Sequence, residues 1–167
     1  MKRWITQLAT AAALLAPALL VYAWQTRDLL PAGDRVAAPA LPATLASGAD
    51  FDTSTLAGRP AVVYFFAPWC GVCAASAPQL RWFDALAGDS ARLVLVALDY
   101  ESAAEASAWA EKRGLAAPVL LGDGSTALAW RIRGFPTYYV LDREGRVAAR
   151  DFGVSTLPGL WWRTWRL

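Results

Sequence analysis

Two thiols separated by two residues carry the densest chemistry in this chain. Cys70 and Cys73, in Trp69-Cys70-Gly71-Val72-Cys73, are the only cysteines of its 167 residues. They follow an apolar run, Ala61 to Phe66, that reads as a buried strand, and precede Ala74 to Ala87, which reads as a helix. A dithiol at a strand-to-helix junction has the arrangement of a redox centre. Cys70 is expected at the helix N-terminus, where unpaired N–H groups and the helix dipole favour the thiolate, the nucleophile of disulfide exchange. Cys73, one turn further, is placed to attack the resulting mixed disulfide. Gly71 and Val72 between them tune the redox potential, and Trp69 is expected as a partly exposed lid. A purely structural disulfide here would close almost no loop and stabilise little. A zinc site would need its other two ligands from a second copy of the chain.

The rest of the composition narrows the chemistry. Histidine is absent, which excludes Ser-His-Asp and Cys-His nucleophiles and any histidine-containing metal site. The single methionine is Met1, so sulfur ligands reduce to the two cysteines, and neither a metal nor a cofactor beyond a Cys70–Cys73 disulfide is expected. The formal charge of +2, with no basic block, argues against nucleic acid as a partner. Phe135-Pro136-Thr137 is a second candidate element. By itself Pro136 is an ordinary strand-start proline; alongside a CxxC motif it reads as part of the same site. Asp99 and Glu101 follow a central strand and could approach the cysteines, but a solvated loop is the expected reading.

These residues need elements to position them. Ala61–Phe66 and Leu93–Leu98 are apolar on both faces and read as central strands. Val119–Leu121, Thr137–Leu141 and Arg146–Phe152 complete the strands, the last two joined by a hairpin turn at 142–145. Ser102 and Glu105 form a capping box for a helix ending near Lys112 and stopped by Gly114. Ser125–Ile132 reads as a short helix, and Ser155 or Thr156 caps a last one with Pro158 in its first turn. On that helix Trp161 and Trp165 are expected to pack on the sheet, with Arg163 and Arg166 in water; a membrane-surface role for Trp161, Trp162 and Trp165 is the alternative. Thr44-Leu45 and Asp50-Phe51 suggest a small N-terminal β-hairpin. The order predicts an α/β fold, a mixed central sheet flanked by helices.

Residues 4–24 contain no charge and are long enough to cross a bilayer. Lys2 and Arg3 precede them, so the positive-inside rule puts the remainder of the chain outside the cytoplasm. Residues 1–30 are therefore expected to be a single-pass membrane anchor, 31–41 a Pro/Ala-rich linker, and 42–167 the folded domain. A cleaved signal peptide, with 21–23 as cleavage site, is the competing reading. Under either, the domain is exported into an oxidising compartment.

With these pieces in place, the chain resembles the thioredoxin superfamily. The resemblance rests on Tyr64-Phe-Phe-Ala-Pro-Trp-Cys-Gly-Val-Cys73, on Pro78, and on Gly134-Phe-Pro-Thr137 before a hairpin. It implies a thioredoxin fold in which the equivalent of Pro136 is cis and faces the cysteines, with Phe135 offering backbone groups to an extended substrate segment. The anchor, hairpin and insertion resemble the TlpA-like branch. Arg133 to Thr137, Gly153 to Thr156 and the tail Gly159 to Trp165 are most similar to protein-disulfide oxidoreductases of the suppressor-for-copper-sensitivity D (ScsD) type. Relatives carry an acid where this chain has Tyr64 or Ser76, so these two hydroxyls are candidate proton relays for Cys73.

The resemblance implies a thiol-disulfide oxidoreductase acting on disulfide-containing exported proteins. Without a histidine to stabilise the thiolate, the potential is expected toward the reducing end. A reductase fed by a membrane thiol electron donor of the DsbD/ScsB kind, at the periplasmic face of the inner membrane, is the leading reading. A dithiol oxidase, or a Cu(I) metallochaperone using the two thiolates, are the alternatives.

Overall fold

The computed structural model describes residues 2–33 and 36–167. Helix α1 (Lys2–Thr26) precedes β1 (Ala61–Phe66), α2 (Gly71–Ala87), β2 (Arg92–Ala97), α3 (Ala103–Glu111) and β3 (Val119–Leu121). Then come α4 (Gly124–Ala129), β4 (Thr137–Leu141), β5 (Val147–Phe152) and α5 (Leu157–Trp165). The five strands form one sheet in the order β3-β2-β1-β4-β5. The first three are mutually parallel, while β4 runs antiparallel to β1 and β5 antiparallel to β4. The mixed sheet and its flanking helices make the α/β architecture that the order of elements predicts, and it is the thioredoxin fold that the resemblance implies.

Central β1 is buried at all six positions, and its alternation divides the core in two. Val62, Tyr64 and Phe66 join Leu80 and Phe83 of α2, Trp109 of α3 and Leu160 of α5. Ala61, Val63 and Phe65 face Leu29, Leu30, Trp130 and Tyr139. Burial of side chains this size stabilises by about 1.5–3 kcal/mol each, so β1 is the member on which both layers converge.

The caps follow the sequence with two refinements. Ser102 Oγ accepts the Glu105 N–H at 3.1 Å, but Glu105 Oε2 reaches back to the N–H of Glu101 rather than that of Ser102. Thr156, not Ser155, caps α5 through the Gly159 N–H. Ser155 is buried and takes a bond from Arg163.

The N-terminal region departs from expectation in three ways. Residues 31–41 do not run as a free linker. The Gly33 and Ala38 N–H groups donate to Val147 and Gly145, and Val147 donates back to Val36, so this segment covers the outer edge of β5. Asp34 and Arg35 lie outside the described residues. Before it, Leu29 and Leu30 are buried, and Arg150 donates to both their carbonyls. The packed unit thus begins ahead of Pro42, because Ala and Leu in this stretch fill a sheet face that α4 leaves open. The expected hairpin reduces to a single Thr44–Asp50 bridge, with the Leu45 N–H on Ala49 and the Phe51 N–H on Ala43, and Leu45 also pairs with Leu120 on the β3 edge. Both sheet edges are therefore capped by the N-terminal segment, which blocks strand addition there. Finally, the expected transmembrane helix is not confirmed. Among the described residues no helix is long and apolar enough to cross a membrane.

The tail also differs. Leu160 and Thr164 are the buried residues of α5. Trp161, Trp162 and Trp165 are exposed by 39%, 55% and 73%.

Candidate active site

The C-terminal end of β1 passes through Ala67-Pro68-Trp69 into α2, and the Cys70 N–H closes this turn on the Ala67 carbonyl at 3.0 Å. Cys70 is the N-cap residue, with extended backbone angles and its Sγ accepting the Cys73 N–H at 3.1 Å. This is where a side chain meets the unpaired amides of a helix start. The two cysteines are joined as a disulfide. Cys70 retains 6% exposure and Cys73 none, so Cys70 is the sulfur nearer to solvent. Gly71 and Val72 lie between them at the surface.

Trp69 is 65% exposed yet held in place. Its Nε1 donates to the Asp99 carboxylate at 3.0 Å and to the Asp99 carbonyl at 3.2 Å. Asp99 reaches this position from the end of β2 with φ of +52°, a left-handed conformation that Asp tolerates better than most residues. The expectation of a solvated loop is half right: Asp99 is exposed, but it clasps the indole beside the dithiol. The only sequence signal was an acid directly after a central strand.

On the opposite side the Phe135–Pro136 peptide bond is cis. The Phe135 ring meets Trp69 edge-on, with centroids 5.9 Å apart, which brings this loop beside the CxxC turn. Thr137 Oγ1 donates to the Gly134 carbonyl at 2.8 Å, and the Gly153 N–H donates to Pro136. Gly134 packs closely under Phe152: a Cβ there would lie 3.1 Å from the ring. A cavity of about 420 Å³ opens behind Phe135, with Leu98, Asp99, Ala127, Ile132 and Arg133 among its walls.

Beneath the disulfide, Tyr64 and Ser76 are both buried. Ser76 donates its hydroxyl to the Val72 carbonyl at 2.9 Å. Tyr64 Oη lies near Ser76 but has no hydrogen-bond partner of good geometry. Burial pushes its hydroxyl well above the ordinary value, Ser76 being the largest opposing influence, so the phenol stays protonated. Tyr138, stacked on Tyr64 at 6.2 Å, has a second unpartnered hydroxyl raised the same way. Among the described residues no group of three or more His, Cys, Asp or Glu side chains could hold a metal ion.

A Redoxin family profile matches residues 31–159. The chain belongs to the Redoxin family. Similarity to curated redoxin-like proteins is partial. The chain is 55% identical to the soluble secreted antigen MPT53 of Mycobacterium tuberculosis over 38 residues, 23% of this chain and 22% of the antigen. It is 30% identical to the thiol:disulfide interchange protein DsbE of Xylella fastidiosa over 55% of this chain and 46% of that protein. The chain thus spans less than half the length of each. Among solved structures, a secreted Mycobacterium tuberculosis disulfide oxidoreductase homologous to E. coli DsbE matches at TM-score 0.66 and 25% identity, covering 76% of this chain and 96% of that one. DsbF of the same organism matches at 0.67 and 26%, covering 75% and 93%. A thioredoxin-family thiol:disulfide interchange protein from Chlorobium tepidum, at TM-score 0.71 and 22% identity over 81% and 98%, supports the fold. The Xylella fastidiosa and Chlorobium tepidum proteins are thiol:disulfide interchange proteins, and the secreted Mycobacterium tuberculosis protein is a disulfide oxidoreductase.

Proposed function

We propose that this redoxin is a protein-disulfide oxidoreductase of the TlpA-like, ScsD-type branch that reduces disulfides in exported proteins. The observation that carries the reading is Cys70 Sγ at the helix N-cap, accepting the Cys73 amide, with the resolving sulfur fully buried next to it. In the reduced chain, the Cys70 thiolate attacks a substrate disulfide; one S–S bond breaks, one forms, and a substrate thiolate leaves. Cys73, losing its proton, then attacks Cys70 Sγ and releases the second substrate thiol. The chain is left as the Cys70–Cys73 disulfide, and a DsbD/ScsB-like membrane dithiol returns it to the reduced form by the same two exchanges in reverse. Trp69, Phe135 and Pro136 form the walls against which an extended substrate segment lies. Gly71 and Val72 bring no cation to the thiolate, which favours a reducing potential.

The proton leaving Cys73 ends on a departing substrate thiolate, carried by water or by the Ser76 or Tyr64 hydroxyl as a relay, because neither hydroxyl is basic enough to keep it. Helix α1 attaches the domain to the inner membrane on its extracytoplasmic side. Support comes from the uncharged stretch that follows Arg3 and from the exposed Leu14, Leu15, Leu19, Leu20 and Val21.

Two measurements test the redox assignment. A Cys73→Ser variant should retain exported partners on Cys70 as mixed disulfides, identified by mass spectrometry; no partner retained on Cys70 sinks the exchange mechanism. Equilibration with dithiothreitol or glutathione should give a reducing potential, and a value near about −120 mV, that of a strong oxidant, would instead assign disulfide formation.

A further inference from the structure

The exposed tryptophans of α5 are the largest feature that the dithiol chemistry leaves unused. Its sequence, Leu157-Pro-Gly-Leu-Trp-Trp-Arg-Thr-Trp165, contains no acid, and its contribution to the core is made by Leu160 and Thr164. Trp162 and Trp165 stand in solvent, and the Arg166 guanidinium lies 4.6 Å from the Trp162 ring centroid. Near the end of α1 the pattern repeats: Trp24 is exposed, with Arg27 stacked 5.3 Å from its centroid. An indole carrying a cation on its face suits the headgroup layer, where the ring meets acyl carbon and the guanidinium meets phosphate.

Both helices lie against β5. Arg163 of α5 pairs with Asp151 of β5 at 2.6 Å, and Tyr22 of α1 lies within electrostatic reach of both. There is no slack between α1 and the domain: Thr26, Leu29 and Leu30 are buried, and the Leu30 N–H donates to Tyr139 Oη at 3.2 Å. A surface that takes up α1 is thereby brought close to α5.

We propose that the Trp162–Trp165–Arg166 face of α5 rests in the headgroup layer of the same bilayer that holds α1, giving the catalytic domain a second, orienting contact. The inference builds on the assignment of α1 as a membrane attachment. A lone anchor would leave the domain free to pivot; two contacts fix which side of it faces away from the lipid.

The test uses the full chain in vesicles of phosphatidylethanolamine and phosphatidylglycerol, with and without bromine on the upper acyl carbons. The emission lost in a Trp162→Phe/Trp165→Phe variant isolates these two indoles. That difference emission should be quenched in brominated vesicles, while insulin-reduction turnover of the variant stays at the wild-type level. Equal difference emission in both vesicle types, with the chain still membrane-bound after carbonate washing, overturns the α5 contact and leaves the attachment intact. Release of the chain by carbonate overturns the attachment and the contact together. Difference emission that becomes shielded from iodide as protein concentration rises in detergent, with no bromine quenching, assigns the face to a second copy of this chain and overturns the proposal.

Discussion

Asp99 is the residue whose role is clearest from position rather than type. Two bonds from its carbonyl and carboxylate to one indole nitrogen hold an otherwise exposed Trp69 over the dithiol. Replacing Asp99 with Ala removes the carboxylate bond and leaves the indole on the backbone carbonyl alone. Because Ala tolerates the left-handed backbone at this position less well than Asp, stability should fall by about 1 kcal/mol, while the KM for a protein disulfide rises several-fold; an unchanged KM would show the clasp to be incidental. Tyr64 makes the opposite case. Its buried hydroxyl lacks a partner, and an unsatisfied buried polar group costs about 1–3 kcal/mol. Tyr64→Phe should therefore raise stability to guanidinium by about 1 kcal/mol and, through the relay, slow resolution of the mixed disulfide. A variant that is stabilised but resolves at the wild-type rate, with the same pH–rate profile, removes Tyr64 from the proton route. The motif residues were legible from type and spacing, since CxxC chemistry is local. Asp99 was not, because its contact joins residues thirty positions apart through a left-handed turn.

At the scale of elements, the strands were legible to within one residue at each end, whereas the helix expected over Ser125–Ile132 spans Gly124–Ala129. Apolar runs, Ser102, Gly114 and the 142–145 turn act locally, and local forces set those boundaries. Helix α4 illustrates how a short element survives. Asp123 accepts bonds from Ser125 Oγ at 2.6 Å, Thr126 N at 2.9 Å and Thr126 Oγ1 at 3.1 Å. Led by the Ser125 bond, these hold its carboxyl at about 2, below the ordinary 3.8. A depressed acid contributes stability that is complete above its unfolded value and is lost as pH falls through its folded one. The Thr126 amide should therefore keep its capped chemical shift down to about pH 4 and lose it with a midpoint near 2. A midpoint near 4 would mean that the cap is not formed in solution. Since α4 supplies one wall of the cavity behind Phe135, the loosening should reach the substrate side of the site.

For the molecule as a whole, the decisive feature is the segment ahead of Pro42. Composition marked it as a tether, yet it buries Leu29 and Leu30, donates to Tyr139 and covers the β5 edge. Loss of one buried Leu costs about 2–5 kcal/mol. A chain starting at Pro42 should thus be less stable than one starting at Arg27 by about 4 kcal/mol or more, read as a lower denaturant midpoint. Equal midpoints would mean that the docked segment contributes nothing. Sequence alone determined the dithiol, the strand and helix order and the exclusion of histidine chemistry, because each depends on residues close together in the chain. Tertiary structure alone decided that Asp99 holds Trp69, that residues 29–33 and 36–38 belong to the packed unit, and that the α5 tryptophans face outward. Each of these turns on which surfaces the folded sheet leaves open, a question of packing volume that spacing along a chain does not encode.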